Sequence, residues 1–378
     1  MSVFATFVRS YRRLQSAPET FLIGSEVPVA GRPTHLNVLE SIMSVMITGA
    51  TGFIGTHVAK QLAARGESLH VLCRPTADLT PLQGLPITVF RGDILDRASV
   101  AACMEGCDRV FHLAAYARNW AKDGSTFSRI NVGAVTNILE SARDLGVKRT
   151  VFTSTNLTMS TTTGAVADEA TPRTTELFTD YEVSKTLAEK TARAYADQGV
   201  DVVIVNPSRV FGPGLLSEGN STTIMIKMYL EGKFRTILGS GNAVGNWSYV
   251  EDVARGHLLA MEHGRSGERY LLGGDNASFN EFFRLLAEVS GTKRLLFHVP
   301  AAVAFALAHT EVFRGRVSSH HPLISPGWVK IFLHDWAHST AKAERELGYT
   351  VTPLREALDV TVRWIREQDR RNDYAKES

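Results

Sequence analysis

The chain has 378 residues, 44% of them apolar or aromatic, enough to bury a sizeable core and to divide into one main domain with a smaller appended region. Its 41 basic and 39 acidic side chains leave a formal charge of +2, a near balance that gives no electrostatic case for a nucleic-acid partner. Three cysteines, Cys73, Cys103 and Cys107, are too few for a disulfide framework and lack neighbouring ligands for structural zinc, so they read as reduced thiols near a core.

Residues 1–42 carry Arg9, Arg12 and Arg13 with some aromatic side chains but no long apolar run, and are expected to form a flexible extension. The stretch 303–308 is too short to cross a bilayer, so no transmembrane segment and a cytoplasmic location are expected. Val45, Met46 and Ile47 then read as a short buried strand, followed by Gly49, Gly52 and Gly55 in a tight turn into a helix over 53–65. Without side chains in the way, backbone N–H groups there can reach a pyrophosphate at the helix start. Contact is expected along the whole loop, including Thr51, Phe53 and Ile54.

Further strands are predicted over 69–73, 87–90, 109–114, 147–154 and 202–207, with helices over 126–145 and around Tyr181 between them. Short β-branched runs alternating with helices predict an α/β fold, a doubly wound parallel Rossmann sheet. After Pro207 the rhythm changes at RVFGPG, and helices are expected at 223–231, 249–263, 279–289, 300–313 and 354–371, with a strand over 269–272. The expected organisation is an extension (1–42), a dinucleotide-binding region (43–212) and a mixed region (213–378) that forms a substrate-binding cap and returns segments to the sheet.

The second strand ends Val71-Leu72-Cys73-Arg74, with no acid to receive a ribose 2′-hydroxyl. Arg74 could pair with the extra phosphate of NADP, which makes NADP the expected cofactor and NAD the alternative. Asp93, after the third strand, is placed to accept from an adenine amino group, with a simple turn aspartate as the plainer reading; Ile94 beside it is assigned to the same cofactor wall. Tyr181 and Lys185 lie one helical turn apart. A lysine cation near a phenol favours tyrosinate and permits proton transfer near neutral pH. His112 reads as structural, and nothing in the pattern requires a metal.

The segments TGATGFIG, GDILD, HLAA, YEVSK and NPSRVFGPG together resemble the extended short-chain dehydrogenase/reductase family, near its dihydroflavonol-reductase-like and NAD-dependent epimerase/dehydratase members, over most of 43–371. The resemblance implies a catalytic set of Thr155 (with Ser154 beside it as the competing register), Tyr181 and Lys185, with Asn131 organising the active-site backbone. It also implies cofactor contacts at Asp93, Ala114 and Pro207, and Lys185 on the nicotinamide ribose. The leading expectation is therefore an NADP-dependent carbonyl reductase or alcohol dehydrogenase acting on a small organic carbonyl or alcohol. The alternatives are an NAD-dependent nucleotide-sugar epimerase and a noncatalytic NADP-sensing interaction protein. A homodimer is plausible from the resemblance. Phe211, Trp247 and Tyr249 could shape a substrate pocket, and Asn220, Asn246 and His309 could bind polar groups. Lys330, Arg345 and Arg355 could meet a nucleotide phosphate or be scattered surface charge.

Overall fold

The computed structural model describes residues 44–318, 321–322 and 324–377; the extension expected over 1–42 lies outside the described residues. In chain order the first half runs β1 (Ser44–Thr48), α1 (Phe53–Ala64), β2 (Leu69–Cys73), β3 (Ile87–Arg91), α2 (Arg97–Met104), β4 (Cys107–His112), α3 (Ser125–Leu145), β5 (Arg149–Thr153), α4 (Asp180–Ala196), β6 (Val202–Pro207). There follow β7 (Arg209–Phe211), α5 (Ser221–Leu230), β8 (Thr236–Leu238), β9 (Val244–Tyr249), α6 (Val250–His263), β10 (Arg269–Leu272), β11 (Asp275–Ser278), α7 (Phe279–Ser290), β12 (Phe297–Val299) and α8 (Ala301–Val317). Three helices close the chain, α9 (Pro326–Leu333), α10 (Ala341–Leu347) and α11 (Leu354–Glu377).

Successive strand side chains point to opposite faces, so a strand covered on both sides must be apolar throughout. In β1, Val45 and Ile47 pack with Val58 of α1 and Val253 of α6, while Met46 packs the other way with Val100 of α2 and Ile138 of α3. Seven strands pair in parallel in the order β10-β6-β5-β4-β1-β2-β3. This is the expected Rossmann-type sheet. The order reverses between β1 and β4, and the crevice at their carboxyl ends is where such sheets bind ligands.

The C-terminal region adds a three-stranded sheet, β11-β9-β7, and a two-stranded one, β12-β8. Behind them Phe211, Tyr229, Trp247, Phe282 and Phe283 form an aromatic core with Leu358 and Val362 of α11. Only α5 to α8 and α11, with β10, are foreshadowed by sequence pattern. The short strands β9 and β11 are not, because VGNWSY and DNAS are rich in polar and small residues whose pairing depends on distant partners, and β7 is only the three residues RVF.

Candidate active site

Gly49 has a φ of 75°, and a β-carbon there would stand 2.7 Å from the Ala114 backbone nitrogen. A β-carbon on Gly55 would lie 2.1 Å from the Gly49 carbonyl oxygen. The turn therefore needs glycine at both places, once for a left-handed backbone and once for close approach. Gly52 caps α1 without a side-chain hydrogen bond, and the first turn has no acidic residue. The helix start thus keeps its N–H groups and partial positive charge unspent, which suits a pyrophosphate. Thr56 ties the turn to the helix by donating to Ala50 O and Gly52 O at 3.0 and 2.8 Å. Thr51 and Ile54 are partly exposed in this loop and Phe53 is buried against the core.

The crevice walls follow from β2, β3, β4 and β6. Arg74 is exposed directly after β2, and the loop behind it is held by Arg91, which donates to the carbonyls of Arg74, Pro75 and Ala77. Asp93 Oδ1 accepts from Leu95 N at 2.9 Å, so the plainer turn role is present. Ile94 is fixed through its carbonyl by Asn137. Ala114 N donates to Thr48 Oγ1, beside the His112 Nδ1 contact of 2.7 Å. His112 is buried, and desolvation first, then the Lys185 charge, pull its pKa to about 3, leaving it neutral. Pro207 ends β6, buried and paired with Leu272.

The helix carrying the phenol begins at a capping box, Thr179-Asp180-Tyr181-Glu182. Thr179 Oγ1 accepts from Glu182 N, and the Glu182 carboxylate receives Phe178 N and the Thr179 hydroxyl. That start places Tyr181 in the first turn of α4, packed against the cluster of Leu157, Ile331 and Trp336. Burial pushes its phenol up to about 12, and a hydrogen bond with the Thr155 side chain opposes that rise. The neighbouring Ser154 faces elsewhere: its hydroxyl donates to Glu189 Oε1 at 2.6 Å. Of the two candidate registers, Thr155 is the one beside the phenol.

Lys185 is 2% exposed, and its ammonium donates to Thr153 O at 2.8 Å and lies 4.5 Å from the Phe152 ring centre. In this structure it is the carbonyl, not the phenol, that Lys185 meets. Burial draws its pKa down to about 7 while the Glu189 carboxylate resists. Asn131, on α3, accepts from Tyr116 N and donates to Ser184 Oγ, which in turn donates to Tyr181 O. It therefore braces the start of α4 against the loop after β4.

Two residues outside the sequence expectations hold this arrangement. Glu189 Oε1 accepts from Ser154, Thr158 and Asn206, and Asn206 also donates to Thr155 O, which anchors the turn bearing Thr155. Its position is legible in hindsight, since 181, 185 and 189 recur at helical spacing. Arg173 donates to Leu157 O and Met159 O and pairs with Glu182 at 2.9 Å, stitching the same turn to α4. No spacing announces it.

The expected substrate residues scatter. Phe211 and Trp247 are buried in the aromatic core, Trp247 donating to Ala277 O. Asn220 is buried with donors to Gly212 O and Leu215 O, and Asn246 bonds to Gly274 and Asn276. His309 is exposed on α8. Lys330 pairs with Glu176, Arg345 with Glu346 and Arg355 with Glu288, the scattered surface charge of the plainer reading. A surface groove lined by Asp168, Arg193, Lys342 and Arg345 contains none of the catalytic or cofactor-binding residues.

The profile of the NAD dependent epimerase/dehydratase family matches residues 45–273. The chain belongs to this family. It is an NAD(P)-dependent oxidoreductase of the extended short-chain dehydrogenase/reductase type, close to dihydroflavonol-reductase-like members. A dihydroflavonol-4-reductase-like protein of Synechocystis is 32% identical over 84% of this chain and 93% of its own length. DesIV, the dTDP-glucose 4,6-dehydratase of Streptomyces venezuelae, solved with NAD, superposes with a TM-score of 0.69 at 27% identity over 86% of this chain and 97% of that one. The UDP-glucose 4-epimerase of Thermus thermophilus, solved with NAD, gives 0.68 at 25% identity over 86% and 99%.

These likenesses overturn the expectation of NADP, since both solved enzymes hold NAD. Arg74 misled because a planar guanidinium can stack on adenine as readily as pair with a phosphate, and no described contact directs it into the crevice. The expected carbonyl reductase acting on a small carbonyl or alcohol falls for a parallel reason: both solved enzymes are named for nucleotide sugars. A tyrosine beside a threonine would serve any carbinol alike, so that part of the pattern carries no signal for the substrate. Among the described residues no helix is long and apolar enough to cross a membrane.

Proposed function

We propose that the protein is an NAD-dependent nucleotide-sugar epimerase. The observation that carries this reading is the meeting of the Tyr181 and Thr155 hydroxyls in a sheet whose first turn is shaped for a dinucleotide, in a chain similar to two nucleotide-sugar enzymes that hold NAD. The backbone from Gly49 to Gly55, including Thr51, Phe53 and Ile54, would receive the pyrophosphate; Arg74, Asp93 and Ile94 would line the adenosine end, and Ala114, Pro207 and Lys185 the nicotinamide end. Bound there, NAD supplies a hydride acceptor for a carbinol carbon and later returns the same hydride.

Tyr181 takes the hydroxyl proton as base while Thr155 holds the oxygen, and the resulting ketone stays in the site. After the ketone turns, Tyr181 gives the proton back to oxygen on reduction of the opposite face. A phenol held near 12 in the present structure must lose part of that rise to serve as a base near neutral pH. A positive charge brought to the phenol would do this, and Lys185, one helical turn away and held at Thr153 O in this structure, is the residue placed to supply it. Asn131 keeps Tyr181 in register.

The test is incubation of the purified protein with NAD and either UDP-glucose or dTDP-glucose. Interconversion at the sugar carbinol without net change in nicotinamide is expected. Stoichiometric NADH accumulation, or no sugar product of any kind, would overturn the proposal; a keto-deoxy sugar would move it to a dehydratase.

A further inference from the structure

Arg209 opens β7, immediately after the β6 end that borders the site, and is partly exposed. Its guanidinium lies among three aromatic rings, 5.6 Å from Trp247, 5.2 Å from Phe279 and 4.9 Å from Phe332. Ring faces satisfy a cation's charge but not its five in-plane N–H donors. Beyond the backbone pairing of β7 with β9, no hydrogen bond or ion pair joins the Arg209 guanidinium to another described residue. Room has been left for it: a β-carbon on Gly245 would stand 3.0 Å from Nε and 3.1 Å from Cδ. Asp335, whose carboxylate reaches the neighbouring residue of β9, is turned to Val244 N at 2.8 Å instead. Burial lowers the guanidinium only to about 10, so it is charged at neutral pH.

The surroundings place this cation on the substrate side. Phe332 belongs to α9, whose Trp328 ring lies tilted 6.2 Å from it and packs against the same cluster as Tyr181. The Trp328 indole N–H is buried without a partner. Trp328 and Phe332 of α9 thus connect the cluster around the phenol to the guanidinium, with an unpaired indole donor at one end and a charged fork without an acceptor at the other.

We infer that Arg209 is an oxyanion-recognising substrate contact, holding a phosphoryl or carboxylate group of the substrate away from the carbon that reacts. This deepens the nucleotide-sugar reading and rests on it for the source of the anion, either the diphosphate bridge or an acidic sugar. Arginine suits the task because its fork matches two oxygens at once and the rings fix its plane.

The experiment is calorimetric titration of full-length protein saturated with NAD, at fixed salt, with inorganic pyrophosphate, UDP and glucuronate, comparing wild type, Arg209→Lys and Arg209→Met. Saturating NAD keeps pyrophosphate out of the glycine turn. The expected result is that at least one oxyanion binds wild type, that Arg209→Met weakens it on the order of tenfold or more, and that Arg209→Lys keeps part of the affinity. Unchanged NAD affinity in both variants shows that the site is folded. UDP and pyrophosphate responding together assigns the diphosphate; glucuronate alone assigns a carboxylate. Equal binding by wild type and Arg209→Met, or no binding of any probe by wild type, overturns the inference. Arg209-dependent pyrophosphate binding without turnover of UDP-glucose would keep the anion site and sink the nucleotide-sugar reading; UDP-glucose turnover indifferent to Arg209→Met would do the reverse.

Discussion

The turn from Gly49 to Gly55 and the strand from Arg209 to Phe211 both follow strands of the central sheet, at β1 and β6, yet they are built from opposite materials. In the first, side chains are absent where contact is made, because a β-carbon on Gly55 would strike the Gly49 carbonyl. In the second, contact is made by side chains, and an arginine, two tryptophans and two phenylalanines on four elements meet there. A site read by backbone leaves a fixed spacing in the sequence. A wall assembled from distant side chains leaves none.

The largest way to break this contrast is at Tyr181, which belongs to neither wall. Tyr181→Phe keeps the ring and removes the exchangeable proton, so single-turnover hydride transfer should fall by about 10² to 10⁴ while NAD affinity holds. Near-normal transfer would remove Tyr181 from the acid/base role. Gly55→Ala attacks the backbone-built side: the turn must move, and NAD affinity should drop by roughly 10² with any turnover lost in proportion. A variant binding NAD as wild type does would show that the close approach is not needed.

Stability should carry a pH signature from the sheet beneath the site. His257 is fully buried, its Nδ1–H donating to Val253 O and its neutral Nε2 accepting from Thr153 Oγ1, and desolvation pulls its pKa to about 4. A histidine depressed in the fold contributes stability that is whole above its ordinary pKa of 6.5 and is lost as the pH falls toward 4. The loss over that window should be on the order of 3 kcal/mol, with His112, drawn down to about 3, adding its own loss from the same starting pH and continuing to about pH 3. Denaturant titrations of His257→Gln across pH 4 to 7 should show a flatter slope than wild type; an identical slope would contradict the assignment. The smallest effect is expected at Arg74, where Arg74→Ala should weaken NAD only a few fold, the size of one exposed cationic contact. Matched NAD and NADP titrations check this, and tighter NADP binding by wild type would reverse the cofactor reading.

What could be read from the sequence follows the same division. The strands 69–73, 202–207 and 269–272 stand where apolar runs put them, because both faces of the parallel sheet are covered. Short α2 escaped notice; its N-cap, Asp96, accepts from Ala98 N and Ser99 N, a signal present but brief. Thr155 and Tyr181 came together as their motifs suggest, since one capping box and one strand end fix both. Glu189 did not announce itself because its three donors come from β6 and from the turn after β5. Trp328 and Trp336 reach the phenol from some 150 residues away in the chain, and Arg74 offered a charge whose partner the sequence alone could not supply.

The central claim is that a carbinol hydrogen leaves the substrate and returns to it within one site. It is tested most directly by giving the NAD-loaded protein UDP-glucose deuterated at C4 and following the label by NMR. The account predicts the C4 epimer with deuterium retained and no net NADH. Loss of the label to solvent, or NADH rising in step with substrate loss, would contradict it.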